Sequence, residues 1–157
     1  KQLLAMKNKR FQIVTMLLII ALGIGQFFSP TYNEGPEVKV NELFGVEVAS
    51  PSVIDMFKNA CYDCHSNTTE YPAYAKISPV SFWIQGHIDH GKEQLNFSEW
   101  ATYSPGKRKH KLEECIEEIE KNHMPLKSYT WLHSKSRLSE DQKNLIVEWC
   151  RSIMVKY

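Results

Sequence analysis

The stretch CYDCHSNTT, residues 61–69, concentrates reactive side chains: Cys61 and Cys64 sit three positions apart and His65 follows at once. Three chemistries use such a set. Two thiols can add to the two vinyl groups of a haem, giving thioethers, with the adjacent imidazole under the iron as its proximal ligand. Thiolates and imidazoles together can hold zinc. Two thiols can also work as a redox dithiol.

The neighbouring sequence weighs among the three. Ser50-Pro51 reads as an N-cap followed by proline at the first helical position. Val53, Ile54, Phe57 and Ala60 then recur at helical spacing, so a helix of about ten residues runs into Cys61. A redox dithiol wants a helix opening after it, because the helix N-terminus lowers the thiol pKa. Here the motif ends a helix. A zinc set would be Cys61, Cys64, His87 and His90, but His-x-x-His is shorter than the usual spacing and His65 would be idle. Covalent haem uses every residue of the motif. The reading is therefore one haem c, carried by thioethers from Cys61 and Cys64, with His65 as proximal iron ligand.

The opposite face of the iron needs a ligand or an open site. Met124, His123, His87, His90, His110 and His133 are the candidates. Met124 leads, because Pro125 follows it and biases residue 124 away from the helical region. A thioether on such a loop can reach across the haem plane, and Met/His ligation raises the reduction potential. His123 is the nearest rival. Met56 reads as core. Cys115 and Cys150 lie on separate expected helices, and an exported disulfide and a buried free pair both stay open.

These groups need helices to position them. Ser78-Pro79 repeats the start signal ahead of Val80, Trp83, Ile84 and Ile88. Residues 107–123 place Leu112, Cys115, Ile116 and Ile119 on one face, with Glu113, Glu114, Glu117, Glu118 and Glu120 mostly off it as a solvated face, and Pro125 stops the run. The last helix opens on a capping box, Ser139 with Gln142, and buries Leu145, Ile146, Trp149 and Ile153. Residues 37–48 alternate weakly and Gly45 interrupts them, so no strand is expected. The fold class is all-α.

Met6 is the candidate start, and KQLLA is left out of the fold reasoning. Lys7, Lys9 and Arg10 precede an uncharged run from Phe11 to Phe28. A spanning helix needs about 20 mostly apolar residues. No small-x-small site precedes Ser29, and Gln26-Phe27-Phe28 is bulky, so the segment reads as an uncleaved signal anchor. The basic flank stays inside. The rest then faces the periplasm from a single-pass anchor in a bacterial inner membrane, or is exported if the leader is cleaved. Four of the 19 basic residues precede residue 30, while all 18 acidic residues follow it. The exported part is thus mildly acidic and offers no nucleic-acid patch. The boundaries are 1–28 for the anchor, 29–49 for a linker with Pro30, Gly35, Pro36 and Gly45, and 50–157 for the haem domain.

A helix ending in CxxCH, then middle helices, then Met-Pro and a C-terminal amphipathic helix, resembles the class I cytochromes c. More closely, CYDCHSNTTEYPAYAKISPVSFWIQGHIDHGKEQLNFSEW and MPLKSYTWLH, with the final helix, resemble the small bacterial haem-binding domain family of membrane-anchored, single-haem proteins, over residues 45–155. The resemblance implies four to five short helices around one covalent haem, Cys61 and Cys64 carrying it, and His65 and Met124 as axial ligands. One departure is the missing Gly-x-x-x-Phe/Tyr pair in the first domain helix, with Trp149 the candidate to fill that contact. The implied function is one-electron transfer between redox proteins, with no enzymatic step. A gas- or peroxide-reactive haem with a displaceable distal ligand, with His123, His87 or Tyr129 as distal polar group, is one alternative. A zinc-stabilised interaction module is the other.

Overall fold

Ser-Pro dipeptides stand at the starts of three helices. The computed structural model describes residues 2–35 and 39–157, and Pro36, Glu37 and Val38 of the expected linker lie outside them. Ser50 accepts a hydrogen bond from the Val53 N–H at 3.4 Å and Pro51 opens a helix that ends at Ala60, as its start signal predicts. Ser104 does the same for Lys107, so the acidic helix starts at Pro105, two residues before the expected 107. The signal there is the same Ser-Pro pair. Ser78-Pro79 precedes Val80–Gln94, but the Ser78 hydroxyl donates to the Phe28 carbonyl at 2.9 Å instead of capping.

In chain order the α-helices are α1 (Gln2–Gly25), α2 (Leu43–Val46), α3 (Pro51–Ala60), α4 (Tyr62–His65), α5 (Val80–Gln94), α6 (Pro105–Glu120), α7 (Lys127–Leu132) and α8 (Glu140–Met154). Short 3₁₀ turns lie at Ala73–Lys76, Phe97–Thr102 and Ser134–Ser136. The fold is all-α, and no strand occurs among the described residues. Four to five helices were expected in residues 50–157, and α3, α5, α6 and α8 are the long ones there; α4 and α7 are single turns or little longer, below the length that periodicity can detect, as is α2 in the expected linker.

The chain divides into two units: residues 1–32 with 71–87, and residues 33–70 with 88–157. In the first, the large apolar side chains of α1 from Phe11 to Ile24 are exposed. The α1 segment Lys7–Gly25 is long and apolar enough to cross a membrane. At about 1.5 Å per residue these 19 residues span roughly 28 Å, close to a hydrocarbon core.

In the second unit α6 and α8 form the most extensive helix pair, and α3 packs on α8. The core joins Val53, Met56 and Phe57 of α3, Leu112, Ile116 and Ile119 of α6, and Ile146, Val147, Trp149, Cys150 and Ile153 of α8. Leu145, expected on that face, is exposed instead, and Val147 and Cys150 take the buried positions. Trp149 meets Phe57 edge-on at 5.2 Å, so an aromatic pair stands where a close glycine crossing was missing. Cys115 and Cys150 are both free thiols.

The stretch expected as a linker carries core residues. Leu43 is buried, and Phe44 stacks on Tyr62 at 6.0 Å. Glu47, only 2% exposed, accepts hydrogen bonds from Trp100 Nε1 (3.4 Å), Lys156 Nζ (2.7 Å) and the Tyr157 hydroxyl. This carboxylate ties α2 to the Phe97–Thr102 turn and the C-terminus. Burial alone would raise its pKa. The three donors and the Lys156 charge outweigh burial, and the net pKa lies below the ordinary carboxylate value. The unfolded chain therefore takes the proton first as pH falls, so this stabilisation is present above the ordinary carboxylate pKa and is lost as pH drops through the lowered one. Glu47→Ala should cost on the order of 2–3 kcal/mol in urea unfolding at pH 7, the usual scale for hydrogen bonds to a buried charge. The same variant should flatten the acid limb of stability against pH. An unchanged acid limb would remove Glu47 from this role.

Candidate haem site

The motif sits at a break between two helices. α3 ends at Ala60 because Cys61 turns to φ −127° and ψ −39°, and α4 restarts at Tyr62. Cys61 accepts from the backbone N–H groups of Cys64 (3.2 Å) and His65 (3.0 Å), which winds the five residues into one turn. Tyr62 points into the core and stacks on Phe97 at 5.3 Å.

The polar residues that follow hold this turn in place. Asp63 accepts from the Tyr129 hydroxyl (2.7 Å) and the Glu70 N–H (3.0 Å), while its carbonyl accepts from Thr69 Oγ1 (2.6 Å). The Asn67 N–H donates to Ser98 Oγ at 2.9 Å, and Asn96 Nδ2 to Asn67 Oδ1 at 2.8 Å. Asn33 Nδ2 donates to the Ser66 carbonyl and to Thr69 Oγ1, both at 2.8 Å. The SNTT run thus serves as the latch that follows the chemistry.

A cleft of about 420 Å³ opens beside the turn, bordered by Cys61 and His65 on one side and by Met124 and Pro125 on another. Phe57, Leu95, Phe97 and Ile119 give it apolar walls. Cys64 lies on the same turn and packs under α5. A Cβ added to Gly91 would stand 2.7 Å from the Cys64 carbonyl oxygen, so only glycine lets α5 approach. His65 Nδ1 is 3.0 Å from the Leu95 carbonyl. A carbonyl only accepts, so Nδ1 carries the proton and Nε2 presents its lone pair. Burial pulls the His65 pKa below its ordinary value, against the opposing pull of the Leu95 and Gly91 carbonyls, so the ring is neutral.

Met124 reaches the cleft through the way α6 ends. Asn122 takes a left-handed conformation (φ 58°), and the N–H groups of Asn122 and His123 bond back to the Ile119 and Glu118 carbonyls, both at 3.0 Å. This Schellman arrangement reverses the chain, with Asn in the position glycine usually takes. α6 therefore stops at Glu120, before the Pro125 that was expected to end it. His123 turns to solvent, with Nδ1 3.4 Å from Glu118 Oε2, and does not line the cleft. His87 lies in the first unit against Trp83 at 4.6 Å. His110 pairs with Glu113 and Glu114, and His133 stacks on Tyr129. Tyr129, named as a possible distal group, is held by Asp63 and is not among the cleft residues.

His90, one of the candidate ligands in the sequence, borders the cleft. Two further features went unread. Cys115 borders it as well. Glu114, Glu117 and Glu118, read as a solvated face, form part of its wall. Their spacing of i, i+3 and i+4 is the only sequence signal for this, and it becomes informative only once the cleft is known.

The thiol environment separates the three chemistries. Burial, then neighbouring thiols, pushes Cys61 far above its ordinary pKa, and burial with the Asp63 charge raises Cys64 to about 11. A redox dithiol needs the opposite shift. Among the described residues no group of three or more His, Cys, Asp and Glu side chains is arranged to hold a metal ion, which leaves the zinc set unassembled. A haem fits the donors present: two thiols on one turn, a neutral imidazole held at Nδ1, a thioether bordering the same cleft, and apolar walls.

No curated protein and no solved structure matches the chain. The sequence model of the haem-binding domain family matches residues 20–152, which cover most of the chain and include the motif, the cleft and all but the last two residues of α8. The chain belongs to the haem-binding domain family.

Proposed function

We propose that the protein is a membrane-anchored monohaem c-type cytochrome that passes single electrons between redox proteins on the periplasmic side of a bacterial inner membrane. The observation that carries this is the convergence of Cys61, His65 and Met124 on one cleft, with Cys64 on the same turn. The haem supplies the one-electron couple when bound.

The chain's own residues have four tasks in this reading. Cys61 and Cys64 bind through their sulfur atoms, which fixes the group even without axial ligation. The Leu95 carbonyl orients His65 and keeps Nε2 available. Met124 offers a soft thioether on a loop set by the Asn122 reversal. Phe57, Leu95, Phe97 and Ile119 exclude water, which limits solvent reorganisation when charge changes. α1 provides the anchor, with its Lys7, Lys9 and Arg10 flank on the cytoplasmic side. Electron carriage needs no proton-transfer pair or nucleophile in the cleft, so the reading is a carrier and not an enzyme.

Full-length protein made with the cytochrome c maturation machinery should keep haem stain on a denaturing gel. Cys61→Ala with Cys64→Ala should lose it, and stain surviving in the double variant would sink covalent attachment. The ferric spectrum should show the weak far-red band of Met–iron ligation. Met124→Ala should abolish that band and give a high-spin species that binds carbon monoxide when reduced, whereas His123→Ala should leave the band in place. A wild-type spectrum that is already high-spin would favour the gas-reactive alternative. Bound zinc without haem would favour the interaction module. Gly91→Ala should cost about 1–3 kcal/mol, the scale of overpacking, and reduce the haem-stained fraction, because the new methyl group displaces α5 from Cys64.

A further inference from the structure

The first unit holds a face that the haem site does not use. Gln26, the residue after α1, forms a reciprocal pair with Ser78: its Oε1 accepts from the Ser78 N–H at 3.1 Å and its Nε2 donates to the Ser78 carbonyl at 3.0 Å. Ser78 Oγ donates to the Phe28 carbonyl at 2.9 Å. A Cβ on Gly25 would lie in ordinary contact with Ser78 Cβ, at 3.8 Å. These contacts fix the end of the apolar span against the segment that opens α5.

That segment is unusual in what it exposes. Ile77, Val80, Phe82 and Trp83 all face outward, with Ile77 53% and Trp83 56% exposed. Phe27 and Phe28, at the end of the span, are 89% and 63% exposed. Meanwhile Ser78, Ser81 and Gln85 are buried, with Gln85 Oε1 accepting from the Tyr71 hydroxyl at 2.7 Å. Polar groups inside and large apolar groups outside invert the order expected next to water. Lys76, also exposed, sits beside Ile77 with a stem long enough to keep its ammonium among headgroups. Aromatic rings and cations next to the end of a span are the composition of a bilayer interface.

We propose that residues 76–83 form a second membrane contact, lying in the headgroup region of the same bilayer that α1 spans, with Phe82 and Trp83 inserted at the level of the upper acyl chains. The hydrogen-bonded continuity with Gln26 and Phe28 selects lipid over a protein partner, because it brings this face to the depth where the span ends. The proposal rests on the anchor reading of α1, and the test separates the two.

The full-length ferrous protein is reconstituted into phosphatidylcholine–phosphatidylglycerol vesicles, and flotation reports insertion. Tryptophan emission is then compared in vesicles with and without lipid brominated near the top of the acyl chain. The expected result is strong quenching in the wild type and loss of most of it in Trp83→Phe, because Trp100 and Trp149 are buried in the second unit. Trp131→Phe, at the other exposed tryptophan, should leave the quenching unchanged. A Ser78→Ala, Gln26→Ala chain should float with the vesicles yet show weaker Trp83 quenching. Protein that floats but shows no difference between wild type and Trp83→Phe overturns the second contact and leaves the anchor standing. Protein that does not float overturns both.

Discussion

The close approach of α5 to the motif turn at Gly91 is the constraint on which the haem cleft depends. With no side chain at that position, the helix backbone comes into contact with Cys64. The next turn of the same helix then runs into Leu95, whose carbonyl holds His65 Nδ1. One missing Cβ thus sets the position of the Cys64 turn and, through the helix, the orientation of the His65 ring next to it. A larger residue would separate the two by steric contact with backbone, which cannot rotate away.

Around this contact the second unit uses polar side chains as fasteners and aromatic rings as filler. Asp63, Asn67, Ser98 and Asn96 close the loop after the motif through buried or half-buried hydrogen bonds. Phe44, Tyr62, Phe97, Phe57 and Trp149 stack behind it, so the turn is braced by rings that lose little conformational freedom when fixed. Glu47 closes the far side by gathering Trp100, Lys156 and Tyr157.

The acidic run of α6 shows how one residue set can have two surroundings. Glu114 and Glu117 each hold a lysine, Lys111 and Lys121, as exposed helix pairs do. The same side chains border the cleft beside Met124. They place carboxylates at its margin.

Local rules written into the chain decided much of this protein. The Ser50-Pro51 cap, the Ser139–Gln142 capping box and the apolar stripes of α3, α6 and α8 are short-range physics, legible within a few residues. So were the apolar run of α1 and the CxxCH motif, because each is contiguous in the sequence. Tertiary structure alone decided the rest. It turned His123 outward and Met124 into the cleft through a left-handed Asn122, it brought His90 and Cys115 to the cleft from separate helices, and it made Glu47 a buried anchor in a stretch that read as linker. The cleft and the Glu47 bonds depend on contacts between residues far apart in the chain, whereas the Asn122 reversal is local, and a left-handed turn or a buried carboxylate leaves no periodic trace in composition.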